Sequence, residues 1–414
     1  MVITSFIRKI LRFKELKIVN FEFRTQKKDL FLLVKPYKNG CLCPICGRRG
    51  KKVNKLKHLR RWDDITVAGW KVSLLYAPQE ISCPSHGRQQ EQIPWAAHKS
   101  QCTYRHEFLL VTYAKMMTQK SASQLMRLAS STYSDRLHHI IERERKGHKI
   151  RGLKTIGIDE VSYRKGKKYA TIVYDLDRSV VLWVGKGKGR TTIDRFFGEN
   201  LSQYQKDQIE WASCDMSQSY IGAIKEHCKN AKLVLDHFHI VKAANEAVDE
   251  VRKDAWRLAD PKTRRSMKGL RWLLYRHSGS RSKSDTRALN LLKKVNNRIY
   301  RAWILKDELE HFWKYSYKAS AQKFLNSWIM STLRSRILLM KKFALMMRKH
   351  QSNIITFIDR SLSNAVGEGL NRIIKIVKNR ASGFRNLQSF TNLIFLTVGD
   401  VDIPAKIPLK FQTL

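Results

Sequence analysis

At 414 residues the chain has room for roughly two to four domains and a sizeable core. Its 80 Lys and Arg against 35 Asp and Glu leave a formal charge of +45, which favours a polyanionic partner, although membrane surfaces and acidic proteins attract such a chain too. No lipid-anchor motif or apolar span of about 18 residues stands in it. Residues Met1 to Val19 interleave Arg8, Lys9, Arg12, Lys14, Glu15 and Lys17 with apolar positions, so no membrane partner and no signal peptide are expected.

The odd count of seven cysteines argues against a disulfide framework and turns attention to metal. Residues 1–100 carry Cys43-Pro-Ile-Cys46-Gly and Cys83-Pro-Ser-His86-Gly, two turns of one form. Each lets two ligands reach one ion, and Gly47 and Gly87 permit the tight backbone of such a knuckle. A Zn²⁺ site of Cys43, Cys46, Cys83 and His86 is expected, with Cys41 competing for the place of Cys43. Cys102, Cys214 and Cys228 lack such partners and read as small apolar residues. Between the knuckles Lys51 to Arg61 is a basic run, read either as a solvated edge or as a phosphate contact.

Within 101–150, Phe108 to Met117, Ala122 to Leu128 and Ser131 to Glu142 have helical apolar spacing broken by short polar stretches, the outline of a helix-turn-helix. Arg136, His138 and His139 would lie on or near its recognition helix, with Arg136 the candidate DNA contact. Glu142 to Lys149 reads as a solvated linker.

From Thr155 the pattern changes to α/β. Thr155 to Glu160 and Ile209 to Asp215 are short apolar strands closed by Asp159 and Asp215, and Ala231 to Asp236 is a third. Lys168 to Val184 predicts a hairpin about Asp175 to Ser179, and helices are expected over Thr191 to Asn200 and Ser219 to Cys228. Strand, hairpin, helix, strand, helix, strand fits a ribonuclease-H-like sheet. Residues 246–355 then read as a helical insertion. From 251 to 350 it holds 26 Lys and Arg against 6 Asp and Glu, with aromatics at Trp256, Trp272, Trp303, Phe312, Trp313 and Trp328 that are mostly core.

In the closing segment, 356–414, a helix places Val366, Leu370, Ile373, Ile374 and Val377 on one face and Glu368, Arg372 and Lys375 on the other, with Lys378 at the border. An exposed Glu368 to Arg372 pair, worth about 0.3 to 0.5 kcal/mol, is the bland reading. The sharper one has Glu368 facing a metal and the cations facing phosphates, which would give Gly367 and Gly369, each costing a helix about 1 kcal/mol, a reason in close approach. Carboxylates gathered in so basic a chain repel one another unless a divalent cation bridges them. Asp236 competes with Asp215 for the second position. Asp236 with His239 reads better as a supporting pair, though a core histidine accounts for His239 equally well.

Four blocks carry a specific resemblance: GIDE at 157–160, CDMSQSYIGAI at 214–224, VLDHFHIVKAAN at 234–245 and SNAVGEGLNRIIKIVKNRASGFRN at 363–386. Together they resemble the DDE transposases of bacterial ISL3 insertion sequences, over nearly the whole chain. The resemblance implies catalytic Asp159, Asp215 and Glu368 holding two Mg²⁺ (or Mn²⁺) ions, and a D-x-F-H block on Asp236, Phe238 and His239. It implies an architecture of zinc module (1–100), helix-turn-helix and linker (101–150), and a ribonuclease-H-like catalytic domain (151–245 and 356–414) interrupted by the insertion (246–355). It further implies binding of terminal inverted repeats and target DNA, metal-dependent cleavage and strand transfer, Arg372, Lys375 and Lys378 on DNA, at least a dimer, and a cytoplasmic, nucleoid-associated protein. A domesticated non-cleaving regulator and a nuclease without strand transfer are the rival expectations.

Overall fold

The computed structural model describes residues 16–36, 41–55, 58–164, 168–359, 365–381 and 386–400, together with Ser5, Ile7, Leu11, Gly166 and Phe384. Two compact units arise, one from Met1–His148 with Ile373–Leu414 and the other from Lys149–Arg372. Part of the Leu362 to Arg380 stretch and positions 56 and 57 of the basic run lie outside the described residues.

The first unit holds two sheets. Strands β1 (Leu16–Arg24), β2 (Asp29–Pro36), β4 (Arg60–Val67) and β5 (Trp70–Tyr76) form one, in the order β1-β2-β5-β4. Alternation of the Leu16, Ile18, Leu32, Val34, Trp62, Val72 and Leu74 side chains buries one face, and Trp62 and Tyr76 meet Trp95 edge-on. The other sheet joins β3 (Lys51–Lys55), β6 (Gln79–Cys83) and β7 (Gly87–Gln90). Helices α1 (Tyr104–Met116), α2 (Gln119–Leu125) and α3 (Ser130–Arg145) follow. Thr103 and Thr118 cap the first two by accepting from the backbone N–H of His106 and Ser121.

In the second unit, β8 (Thr155–Arg164), β9 (Lys168–Asp175), β10 (Val180–Lys186), β11 (Trp211–Cys214) and β12 (Lys232–Leu235) make one sheet in the order β10-β9-β8-β11-β12. Strands β8, β11 and β12 run parallel; β9 runs antiparallel to β8, and β10 antiparallel to β9. The turn between β9 and β10 is held where Asp175 Oδ1 accepts from the N–H of Arg178, with Ser179 left-handed at φ 56°. Helices α4 (Arg190–Asn200), α5 (Gln203–Asp207) and α6 (Gln218–His227) link the strands, α4 burying Ile193, Phe196 and Phe197 at helical spacing. Cys214 and Cys228 are buried in this core, as their reading as apolar residues anticipates.

Helix α7 (His237–Leu258) leaves the tip of β12 and opens the helical segment α8 (Pro261–Met267), α9 (Leu270–Tyr275), α10 (Lys283–Val295), α11 (Asn297–Leu309), α12 (Lys318–Arg334), α13 (Leu338–Lys349) and α14 (Gln351–Asp359). Trp303, Phe312 and Trp328 are core here, whereas Trp272 is 68% exposed. The chain then forms α15 (Ala365–Arg380) and α16 (Leu387–Val398).

Two expectations need correction. Glu142 to Lys149 is a solvated linker only in its second half: α3 runs through Arg145, Arg143 pairs with buried Glu107, and the Arg145 guanidinium lies 3.3 Å from the centroid of Phe395, whereas Lys146 to Lys149 are exposed where one unit gives way to the other. Helix α16, expected to belong with the catalytic part, packs on α1 and α3 through buried Phe390, Ile394 and Phe395. Both follow from apolar burial between segments more than 240 positions apart, which local charge pattern does not register.

Candidate functional site

Hydrogen-bond register creates the site. Ile158 pairs with Cys214 and Cys214 with Leu235, so the next residues, Asp159, Asp215 and Asp236, stand at one level on three adjacent parallel strands. Each apolar run that buries its strand therefore delivers a carboxylate to the same edge of the sheet. Asp215 Oδ1 accepts from the N–H of Ser217, and Asp236 Oδ1 accepts from the N–H of Phe238, capping α7. That cap starts the helix whose first turn carries His239. Its Nε2 lies 4.0 Å from Asp159 Oδ1 and 3.8 Å from Asp236 Oδ2.

Burial pushes the Asp159 carboxyl above its ordinary range, with the charge of Asp236 adding to it. The Glu160 N–H, His239 and Asn371 pull the other way. Glu160 is likewise raised by burial, against Lys188 at 3.8 Å, while Asp215 and Asp159 add to the rise. This is an electrostatically crowded edge, in want of positive charge. Its carboxylates do not close into a tight cage: among the described residues the acidic and histidine side chains of this edge form no group of three placed to hold one ion.

Helix α15 reaches the edge through Asn371. Its Nδ2 donates to Asp159 Oδ2, and its Oδ1 accepts from the hydroxyl of Tyr174 at 2.5 Å. Glu368 stands one turn earlier on the helix, exposed, with no ion pair or hydrogen bond among the described residues. The pair with Arg372 offered as the bland reading does not form. Gly157 and Gly367 have a packing role: a Cβ on Gly157 would come 3.0 Å from the Leu176 side chain, and one on Gly367 3.8 Å from it, so Leu176 lodges between strand and helix. Gly369 has open space. Leu370, Ile374 and Val377 are buried as expected, but Ile373 is partly exposed.

Neither Asn371 nor Tyr174 was singled out from sequence. Asn371 does carry a signal in sequence, as a polar residue three positions after Glu368 and hence on the same side of the helix; Tyr174 carries none, since its place opposite Gly157 comes from the strand register.

In the first unit, Cys43, Cys46, Cys83 and His86 gather with all four ligand atoms within 4.8 Å of one another. Cys46 Sγ is 3.6 Å from Cys83 Sγ, and His86 Nδ1 is 3.8 and 3.7 Å from the sulfurs of Cys43 and Cys83. These are the edge lengths of a tetrahedron with ligands at about 2.0 to 2.3 Å from its centre, so the donor set fits zinc. Gly47 and Gly87 turn at φ 70° and 64°. Burial opposes ionisation of the Cys43 thiol, but the N–H groups of Cys46 and Ile45, with Cys83 and Cys46, bring its pKa down to about 6, toward the thiolate a metal requires. Cys41 packs beside the group without joining it.

The candidate DNA contacts divide. Arg372 and Lys375 are exposed and Lys378 is half-buried, and none forms an ion pair among the described residues. Arg136 is committed instead. Its guanidinium is 2.9 Å from Asp63 and 3.2 Å from Nε2 of buried His106, and only 14% of its side chain is exposed.

The family model described as "Transposase", for DDE enzymes of ISL3 type, matches residues 156–394. The transposase for insertion sequence element IS1557 of Mycobacterium tuberculosis, in strains CDC 1551 and H37Rv, is 28% identical over 380 residues, spanning 86% of this chain and 85% of that one. The transposase for IS1001 of Bordetella parapertussis is 28% identical over 374 residues, spanning 88% and 90%. Among solved structures, the Drosophila P element transposase strand transfer complex is similar at a TM-score of 0.38 and 9% identity, over 72% of this chain and 93% of that one. With a match that takes in more than half of its residues, the three aspartates and the Glu368 helix included, the chain belongs to the ISL3 family of DDE transposases.

Proposed function

We propose that this chain binds the terminal inverted repeats of its element, hydrolyses a phosphodiester at each terminus and joins the freed 3′-hydroxyl to target DNA. One observation carries the reading: register aligns Asp159 with Asp215, and Asn371 ties to Asp159 the helix that bears Glu368.

Asp159, Asp215 and Glu368 would hold divalent metal, Mg²⁺ or Mn²⁺, which when bound supplies Lewis-acid stabilisation and an activated oxygen nucleophile. The chain's own part is positional. The N–H groups of Glu160 and Ser217 fix the two aspartates, and the cap at Asp236 fixes the turn that presents His239. Asp236 and His239 serve as supporting groups beside the acids. Arg372, Lys375 and Lys378 supply positive charge along the helix of Glu368, suited to the strand being cut. The sheet with its crossing helices is read as ribonuclease-H-like, interrupted by the basic helical segment of 246–355. Helices α1 to α3 are read as a helix-turn-helix, and the Cys₃His group as a zinc module for end recognition. Joining two ends calls for at least a dimer, working on the bacterial nucleoid in the cytoplasm.

The test is Mg²⁺-dependent cleavage and joining of labelled terminal repeats. Asp159→Ala, Asp215→Ala and Glu368→Ala each abolish cutting and leave binding intact. Sequence-specific binding without cleavage by the unaltered chain overturns the enzyme reading in favour of a regulator; cleavage without joining favours a nuclease. An active Asp215→Ala beside an inactive Asp236→Ala reassigns the second acid.

A further inference from the structure

We infer that Asn371, held by Tyr174, is a positioning residue that sets the orientation of the Asp159 carboxylate and the seat of the Glu368 helix against it. The inference rests on the reading of Asp159 as a metal ligand and adds to it a role for two residues that do not themselves touch the reacting atoms.

The argument begins with donors and acceptors. An ionised carboxylate only accepts, so the Asn371 group facing Asp159 Oδ2 is the NH₂, and the carbonyl Oδ1 must face the other way. There it meets the hydroxyl of Tyr174. Tyr174 is 1% exposed, and burial together with the nearby charge of Asp159 keeps its phenol protonated, a donor throughout the working pH range. Without that hydroxyl the amide loses the partner that distinguishes its two ends, and the flipped form would set a carbonyl oxygen against a carboxylate oxygen.

The consequences reach both acids. Asp159 Oδ1 is already taken by the N–H of Glu160 at 2.6 Å, so Asn371 fixes the second oxygen and with it the plane of the carboxylate. Asn371 also ties α15 to β8, and Glu368 lies one turn from the tie. Beside Gly367 stands the Leu176 side chain, which a Cβ there would meet at 3.8 Å, an apolar neighbour with no directional preference. Direction comes from the amide. Groups that orient metal ligands from behind change affinity by about ten- to a hundredfold when removed.

The experiment compares full-length Asn371→Ala and Tyr174→Phe with the unaltered chain. Two quantities are read: the Mn²⁺ concentration giving half-maximal cleavage of terminal-repeat DNA, and the Mn²⁺ concentration giving half of the metal-induced rise in melting temperature without DNA. Asn371→Ala is expected to raise both midpoints by about tenfold or more. Tyr174→Phe, which removes one oxygen from a buried ring, shifts them in the same direction by a smaller factor, and saturating metal restores most of the cleavage rate in both. Unchanged midpoints in both variants overturn the inference, even if stability or rate falls, since a packing role alone would give that pattern. Asp159→Ala separates the two levels. If it still cleaves, the metal-ligand reading itself fails. If it is inactive while the Asn371 and Tyr174 midpoints stay in place, only the positioning role fails.

Discussion

His239 and Asp159 face each other across the sheet edge, imidazole Nε2 4.0 Å from carboxylate Oδ1, although one sits in the first turn of a helix and the other within a strand. With Asp236 at 3.8 Å on its other side, the ring stands between two carboxylates and keeps a polar group at the place where they crowd. His239→Ala should therefore lower the rate of terminal-repeat cleavage by about ten- to a hundredfold and leave DNA affinity unaltered. Initial cleavage rates beside gel-shift binding decide it. A wild-type rate would return His239 to the role of a core residue.

The Cys₃His group predicts a stoichiometry. Protein prepared with zinc should hold about one ion per chain, measured by a colorimetric chelator, and Cys43→Ser or His86→Ala should lose it. Because the knuckles sit at the turns flanking β3, β6 and β7, those strands should lose amide-exchange protection in the variants, while β8, β11 and β12 keep theirs. Full zinc retention in both variants would remove the site.

Acid should weaken the first unit through Asp63. Burial favours its protonated form, but Lys71, Arg136 and Arg61, at 3.4, 2.9 and 2.9 Å, overcome that and hold its pKa at about 2. A folded pKa below the unfolded one means stability that is fully present above the unfolded value and lost as pH falls toward the folded one. The loss between about pH 4 and pH 2 should come to about 2 kcal/mol. Denaturant titrations across that window should show a shallower slope for Asp63→Asn; an equal slope would dismiss the role.

Arg143 makes the fourth case. It donates twice to Glu107, at 3.0 and 2.7 Å, and Glu107 is only 5% exposed. Arg143→Ala strands a buried carboxylate whose named remaining partners are the Ser100 hydroxyl and the Cys102 thiol, and should cost about 3 kcal/mol in chemical denaturation. Lys146→Ala, one turn on and exposed, should stay within about 0.5 kcal/mol. Equal effects would mean the pair contributes nothing.

Much of this molecule is legible in its residues taken alone. The apolar runs leading into Asp159, Asp215 and Asp236, the hairpin about Asp175, the helix of Glu368 and the paired knuckles of Cys43, Cys46, Cys83 and His86 are short-range patterns, although the first strand does not end at Asp159 but runs on to Arg164. Apolar period, turn chemistry and ligand spacing are written locally, and a carboxylate closing a buried strand announces itself by its cost. Asn371 against Asp159, Arg136 turned inward to Asp63 and Arg145 over Phe395 are of another kind. Each depends on which distant backbone arrives opposite a side chain, and an amide or guanidinium reads the same in sequence whether it meets water, a carboxylate or a ring. The donor and acceptor that meet are selected by packing of the whole chain, so only the tertiary structure decided them.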